Sequence, residues 1–160
     1  MSPRAACRLE LLDFAQVYDY VAGKADWLAH GLPTQGEQAQ VPRAKDVLRR
    51  QVVTALLGEP VGGVAARVAR SPYGFALVVA DDGTLLGRLR KAMLDADPSA
   101  PAEQVMEAGP STVRPDRPLA ELAERLRSRG LHTAIVTAPD GKLLGVVQRA
   151  DMEARLAGQP

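Results

Sequence analysis

The hydrophobic positions in the second half of the chain change their spacing from helical to strand-like. In residues 119–130 (LAELAERLRSRG) leucine recurs every three or four positions, which places one apolar face on a helix. The runs at 132–138 (HTAIVTA) and 142–147 (KLLGVV) are short and apolar, as is typical of buried strands. The Pro-Asp-Gly sequence at 139–141 predicts a tight turn in which Gly141 takes positive φ. The pattern predicts a helix followed by a β-hairpin.

One element precedes this helix and another follows the hairpin. Residues 111–113 read as a short extended piece that the turn-forming sequence Arg-Pro-Asp-Arg-Pro ends. Gly130 stands where a helix C-cap is expected, and residues 150–157 (ADMEARLA) predict a last helix. The predicted order is therefore β-α-β-β-α.

The chain contains this unit twice. Shifting the sequence on itself by 58 residues aligns residues 47–96 with 105–154 without a gap. The sequence DGTLLGRLRKAML at 82–94 then lies on DGKLLGVVQRADM, and the shared hydrophobic character extends beyond the identical positions. One such unit is too small to bury its sheet well. Two units packed sheet against sheet predict an α+β fold with a pseudo-twofold axis and clefts between equivalent loops.

Composition excludes several classes of protein. Of the 160 residues 46% are hydrophobic and only 4% aromatic, so the core must consist of Ala, Val and Leu. A formal net charge of +1 argues against a general nucleic-acid or membrane-surface binder, and no apolar run approaches the ~20 residues of a membrane span. With one cysteine and two histidines, no metal site is expected. Cys7 is interpreted as a small buried hydrophobe in a reducing cytoplasm.

The repeated unit resembles the CBS domain, and the tandem arrangement resembles a CBS pair, or Bateman module, over roughly residues 41–158. The residues that carry the resemblance are Met106, Thr112, Val113, the strand at 134–138, Asp140, Gly141 and the run Gly-Val-Val-Gln-Arg-Ala-Asp at 145–151. The resemblance implies CBS domains at residues 41–98 and 99–160, after an N-terminal part at 1–40. It also implies a regulatory module that dimerises and binds AMP, ADP, ATP or S-adenosylmethionine in its cleft.

Asp151 is the main candidate for ligand recognition. Its carboxylate can accept two hydrogen bonds from a ribose diol. It can equally stabilise the first turn of the last helix, and both interpretations stay open. Gln148 stands at the cap of that helix, where the family often has Thr or Ser. Gly145 lacks a Cβ atom, so a ligand or another backbone can come close. The resemblance implies further cleft contacts from Thr54, Thr112, His132, Thr133 and Ala134.

The first copy departs from this pattern. It has Arg90 in place of Gln148 and Met93 in place of Asp151, and a thioether accepts hydroxyl groups poorly. A ribose is therefore expected to bind mainly the residues of the second copy. Phosphate contacts are then expected from Arg88, Arg90 and Lys91 of the first copy. The alternative interpretation of the same basic run, which the pattern favours, is a solvated helix face.

The first forty residues resemble the end of a rhodanese-like domain. The residues that carry this resemblance are Tyr20, Gly23, Trp27, Gly31 and Pro33. The pattern predicts a helix at 3–14, a strand at 16–21 and a helix at 25–31, with a linker at 34–45. The sulfur-carrying loop of that family would lie before residue 1. Because the predicted strand has two open edges, the extension is expected to dock on the repeats or on its copy in a dimer.

Three functions are compatible with the sequence. The first is a non-enzymatic cytoplasmic regulator that binds an adenosine-containing ligand, needs no cofactor and acts on an unidentified effector protein. The second is a ligand-free dimerisation or interaction module, which the altered motif of the first copy favours. The third is a vestigial sulfurtransferase acting through Cys7, although the sequence contains no anion-cradling loop for it. Neither nucleic acid nor a membrane is an expected partner.

Overall fold

The computed structural model describes residues 3–36, 40–95 and 97–158. Its elements, in chain order, are α1 (Pro3–Glu10), α2 (Gly23–Ala29), a 3₁₀ turn (Ala44–Val47), β1 (Thr54–Leu56), α3 (Val61–Val68), β2 (Phe75–Val79), β3 (Leu85–Arg90), α4 (Lys91–Leu94), α5 (Ala102–Val105), β4 (Glu107–Ala108), β5 (Thr112–Val113), α6 (Leu119–Ser128), β6 (Thr133–Thr137), β7 (Leu143–Gln148) and α7 (Arg149–Ala157). The predicted β-α-β-β-α order is therefore confirmed in both copies, from β1 to α4 and from β5 to α7.

The strands form two mixed sheets, ordered β1-β2-β3-β4 and β5-β6-β7. In each copy the first strand is parallel to the second, and the second is antiparallel to the third. The register shifts between Val78 and Val79 in the first sheet, and at the equivalent place, between Val136 and Thr137, in the second. The duplication therefore reproduces even the irregularity of the hairpin, and Gly141 has φ 88° at its turn as predicted.

The two sheets pack against each other, as the sequence predicts. Each copy has its own core beneath its helices, and a third cluster joins the copies through Tyr73, Leu77, Ile135 and Val146. The two hairpin turns also bond directly. The Leu85 N–H donates to the Gly141 carbonyl at 3.1 Å, and the Leu143 N–H donates to the Gly83 carbonyl at 3.0 Å. These two bonds are equivalent under the 58-residue shift, in keeping with the predicted pseudo-twofold relation.

The segment that leads into each repeat lies on the other repeat. Arg49 exchanges two backbone hydrogen bonds with Val146 of β7, at 2.8 and 2.9 Å. In the equivalent place, β4 pairs with β3 so that Glu107 lies opposite Arg88. Residues 43–49 therefore extend the second sheet, and residues 101–108 cover the first. The predicted domain boundaries, 1–40, 41–98 and 99–160, remain predictions, and this exchange crosses the last of them.

The N-terminal extension differs from its prediction. Helix α1 ends at Glu10 and α2 already begins at Gly23, and the predicted strand at 16–21 is wrong because those residues form no strand. A strand requires a neighbouring edge, and both sheets lie elsewhere. Helix α1 buries none of its residues, so Cys7 is exposed and its interpretation as a buried hydrophobe is also wrong. Leu28 of α2, only 2% exposed, is the buried contact of this region.

Two further findings concern the described residues only. No helix among them is long and apolar enough to cross a membrane. Within the same ranges, no three His, Cys, Asp or Glu side chains are grouped so that they could hold a metal ion. Part of the predicted linker at 34–45, residues 37–39, lies outside the described residues.

Candidate functional site

Two open cavities occupy equivalent positions in the two repeats. Cleft A has a volume of about 750 Å³ and is lined by residues 49–53, 67 and 70–73. Cleft B has a volume of about 360 Å³. It is lined mainly by Arg88 and Arg90 and by residues 107, 109–113, 125, 129, 131 and 133–135. The 58-residue shift relates the two linings, since it places Arg49 on Glu107 and Arg67 on Arg125.

Asp151 binds an arginine that lines cleft A. Arg49, which lines this cavity, donates from Nε to Oδ2 and from Nη2 to Oδ1 of Asp151, both at 2.6 Å. The bond to Asp151 raises the pKa of the Arg49 guanidinium. The carboxylate lies in the first turn of α7, and the Arg49 side chain is 46% exposed. Cleft A therefore has its wall from the first repeat, and one arginine of that wall is bound to an acidic residue of the second.

The remaining arginines of cleft A fall into two groups. Arg67 donates to the carboxylate of Glu59 and to the Thr54 carbonyl, the latter at 2.8 Å, and its bond lowers the pKa of Glu59. Arg50 and Arg70 form no side-chain hydrogen bond or ion pair within the described part of the chain. Two guanidinium groups are thus available to an incoming anion without breaking an existing contact.

The rest of the cleft A wall is largely apolar. It consists of Val52, Val53, Pro72 and Tyr73, with Gln51 and Ser71 as polar neighbours. Tyr73 is 5% exposed, and its ring packs against Phe75 with centroids 5.7 Å apart. An apolar wall beside charged groups suits a ligand with a flat apolar part and an anionic part.

Cleft B has the opposite arrangement of charge. Here the acid is Glu107 on the leading segment, and the bases are Arg88 and Arg90 on β3. Arg90 donates to the two Glu107 oxygens at 2.8 and 3.1 Å, and Arg88 donates to Oε2 at 2.9 Å. The bonds from Arg90, and then from Arg88, lower the pKa of Glu107 to about 2. The carboxylate in this cleft is therefore fully committed to arginine.

The eight residues predicted to contact a ligand do not form one site. Arg90, Thr112, Thr133 and Ala134 line cleft B, whereas Asp151 binds Arg49 at cleft A. Thr54 adjoins cleft A, where its carbonyl is held by Arg67. The expectation that a ribose on Asp151 also contacts residues 112 and 132–134 stays a prediction. The exchange of leading segments is the physical reason for the separation of these residues, because it places the acidic turn of one repeat against the other repeat.

Four of the eight predicted residues line neither cleft, namely Thr54, Asp151, His132 and Gln148. The His132 carbonyl accepts the N–H of Arg149 at 2.9 Å, and the imidazole is exposed. Gln148 is the N-cap of α7, as predicted, but its side chain makes no capping hydrogen bond. The Thr112 hydroxyl in cleft B accepts a hydrogen bond from the buried Thr137 hydroxyl at 3.2 Å.

The basic run of the first copy is divided between a strand and a helix. Arg88 and Arg90 belong to β3 and line cleft B, so the alternative of a solvated helix face is wrong for them. Lys91 begins α4, is exposed and does not line the cavity.

Sequence reasoning missed the arginines that dominate both clefts, namely Arg49, Arg50, Arg67, Arg70, Arg125 and Arg129. One signal was present, because the repeat aligns Arg67 with Arg125, and a basic residue retained in both copies beside a predicted cleft indicates an anion site. The shift also aligns Arg49 with Glu107, which already indicates that the two clefts differ in charge.

Comparison with known proteins supports the fold. The family model described as CBS domain matches residues 102–158. The CBS domains of a transcriptional regulator from Streptococcus pneumoniae superimpose with a TM-score of 0.65 and 18% identity, over 72% of this chain and 99% of that chain. None of the curated proteins matches the chain.

Two similar structures contain adenosine compounds. The cytosolic domain of the Mg²⁺ channel MgtE in complex with ATP has a TM-score of 0.64 and 23% identity, over 74% of this chain and 51% of that chain. A CBS domain pair in complex with 5′-methylthioadenosine and S-adenosyl-L-methionine has a TM-score of 0.61 and 18% identity, over 75% of this chain and 99% of that chain. The protein has the mixed α+β fold of CBS-pair structures.

Proposed function

We propose that the protein is a regulatory module that binds an adenine nucleotide in cleft A. The observation that carries the proposal is that one cavity of about 750 Å³ has four arginines and an apolar wall, and that the Asp151 carboxylate binds one of those arginines. ATP in the MgtE domain and S-adenosyl-L-methionine in the CBS pair support an adenosine ligand.

Each part of a nucleotide has a chemical counterpart in cleft A. The Asp151 carboxylate accepts hydrogen bonds from the two ribose hydroxyls. Arg50 and Arg70, which have no side-chain partner in the described ranges, bind the phosphate as bidentate donors. Val53, Pro72 and the Tyr73 ring contact the purine.

The charge of cleft A favours AMP, ADP or ATP over S-adenosylmethionine. All four charged side chains in its lining are arginines. A phosphate gains strong charge-assisted hydrogen bonds there, whereas the sulfonium of S-adenosylmethionine carries a positive charge that the arginines repel. We therefore expect a phosphate-bearing nucleotide to be the preferred ligand.

Binding changes the partner of Arg49, and this change gives the module its regulatory signal. Arg49 occupies both oxygens of Asp151, so a ribose diol must displace it. The residue belongs to the leading segment, whose backbone bonds to Val146 of the second sheet. Nucleotide binding is thereby coupled to the contact between the leading segment and the second repeat.

Isothermal titration calorimetry with AMP, ATP and S-adenosylmethionine tests this function. Removing the ionised acceptor in Asp151→Asn should weaken AMP binding about tenfold or more. The matched control is Asp95→Asn, an exposed carboxylate at the C-cap of α4, which should leave the affinity unchanged. Absence of binding by all three ligands would favour the ligand-free interaction module instead.

We further propose that the N-terminal segment mediates a homodimer. Leu11, Phe14, Tyr18 and Val21 are 76%, 58%, 81% and 93% exposed, and such an apolar surface favours association. Sedimentation of the variant Leu11→Ser/Phe14→Ser should show weaker self-association than the wild type. An unchanged association constant would mean that the dimer, if formed, uses another surface.

The resemblance of this segment to the end of a rhodanese-like domain stays a proposal. Its motif residues form a local cluster, in which Trp27 Nε1 donates to the Pro33 carbonyl at 2.8 Å and the Tyr20 and Trp27 rings meet edge to face at 5.2 Å. Cys7 lies in helix α1 rather than in an anion-binding loop, which favours a non-enzymatic role. We therefore expect a thiosulfate:cyanide sulfurtransferase assay to stay at background. A cytoplasmic location is part of the same proposal.

A further inference from the structure

Cleft B contains more basic charge than its one acidic residue can balance. Its lining includes Arg88, Arg90, Arg125 and Arg129, with Glu107 as the acid. Glu107 binds Arg88 and Arg90, whereas Arg125 and Arg129 make no side-chain hydrogen bond or ion pair among the described residues. Like charges that converge without partners repel one another, and an anion between them removes that repulsion.

A second observation also indicates a missing acceptor. The Arg88 Nε atom is buried, and within the described ranges it is the side-chain polar atom that lacks any hydrogen-bond partner. A buried N–H without an acceptor is unfavourable, because the group has lost its hydrogen bond to water and has gained no hydrogen bond within the protein. Arg88 also lines cleft B, so an oxyanion there would lie against the same guanidinium group.

Cleft B lacks the features that would recognise a nucleoside. Met93 stands where the second repeat has Asp151, and its sulfur lies 3.4 Å from the backbone N–H of Arg90. Glu107 is committed to two arginines, so no carboxylate is available for a ribose diol. Hydroxyl groups at Ser111 and Thr133 are further donors to an anion in the same lining. The cavity, about 360 Å³, is also about half the size of cleft A.

We infer that cleft B is a second binding site, selective for a compact oxyanion with phosphate or pyrophosphate chemistry, in which Arg125, Arg129 and Arg88 bind the anion without any contact to a nucleoside. The site is separate from the proposed nucleotide site of cleft A. A failure of nucleotide binding in cleft A would therefore not contradict it. Its ligand is either the free inorganic anion or the same phosphate group carried by a larger molecule.

Calorimetric titration with pyrophosphate at constant ionic strength tests the inference. Arg125→Ala should weaken pyrophosphate binding about tenfold, the loss expected for one charge-assisted contact. Arg155→Ala, which removes an exposed arginine of α7 outside both clefts, should leave the affinity within about twofold. Equal losses in the two variants, or absence of binding, would overturn the inference.

Two further measurements strengthen the test. In ¹⁵N spectra of arginine side chains, the Arg88 Nε–H resonance should shift on addition of pyrophosphate, and an unmoved resonance would contradict the site. Comparing pyrophosphate with ADP in the Asp151→Asn background distinguishes the two sources of the group. Equal affinities in that background mean that cleft B accepts the diphosphate on a larger molecule, and weaker ADP binding means that it selects the free anion. Binding of ADP alone would overturn the inference.

Discussion

The guanidinium of Arg49 and the carboxylate of Asp151 form a bidentate ion pair between residues 102 positions apart in the sequence. Both hydrogen bonds measure 2.6 Å, and the pair joins the segment that leads into the first repeat to the last helix of the second. The same carboxylate is the acceptor that we propose for the ribose. In that proposal Arg49 competes with the ribose hydroxyls for Asp151 and is also a structural contact.

This competition predicts opposite effects for the two partners of the ion pair. Adenosine, which has no phosphate, should bind Arg49→Ala several-fold more tightly than the wild type, because no ion pair has to be broken. The same ligand should bind Asp151→Asn more weakly. Fluorescence or calorimetric titration measures both affinities, and Arg155→Ala controls for the loss of one positive charge. Weaker adenosine binding by Arg49→Ala would show that Arg49 supports the ligand instead.

Glu107 predicts a loss of stability in acid. Its pKa is about 2 in the folded protein and 4.5 in its ordinary state, so the folded protein favours the ionised carboxylate. The resulting stability is fully present above about pH 4.5 and is lost as the pH falls toward about 2. Urea denaturation between about pH 6 and about pH 2.5 should show a smaller acid-dependent loss in Glu107→Gln than in the wild type. Glu103→Gln, an exposed neighbour, should keep the wild-type dependence.

Gly145 predicts a strong steric effect at one backbone contact. A Cβ atom there would lie 2.3 Å from the Arg49 carbonyl oxygen, and the residue has φ 144°. Gly145→Ala should therefore lower the free energy of unfolding by about 3 kcal/mol, since it forces the leading segment away from β7. Gly63→Ala is the matched control, because its Cβ meets only a Glu59 oxygen at 3.9 Å within α3. That variant should gain about 0.5–1 kcal/mol, as measured by chemical denaturation.

The hydrogen bond between Thr137 and Thr112 predicts an asymmetry between two conservative variants. Thr137 is 3% exposed and donates to the Thr112 hydroxyl, which is exposed to solvent. Thr112→Val leaves the buried Thr137 hydroxyl without its acceptor and should cost about 1–3 kcal/mol. Thr137→Val removes the buried donor and leaves Thr112 to water, so it should cost less. Thermal denaturation compares the two, and an equal or reversed order would contradict this account.

The repeat made most of the fold predictable, because the same pattern of elements is predicted independently from each of the two copies. The strand order, the packing of sheet on sheet and the positive φ of Gly141 follow from hydrophobic periodicity and turn chemistry. The N-terminal strand at 16–21 was predicted from the local sequence pattern, and it fails because a strand depends on a neighbour that local sequence does not specify.

The candidate sites were less predictable for a geometric reason. The repeat shows that Asp151 and Met93 are equivalent, but it does not show which residues lie opposite either of them. That depends on where residues 43–49 and 101–108 pack, and both segments cross to the other copy. The arginines of the clefts are exposed side chains without a hydrophobic pattern, so their convergence is visible only in three dimensions.

The crossing of these two segments also determines how the chain unfolds. A fragment that ends near residue 98 would lose β4, which pairs with β3, and its Arg49 would have no Val146 to bond. The complementary fragment would lose the bonds that residues 44 and 49 make to the second repeat. Neither half contains all the backbone partners of its own sheet. We therefore expect the two repeats to unfold together in one cooperative transition, as a single thermodynamic unit rather than as two independent domains.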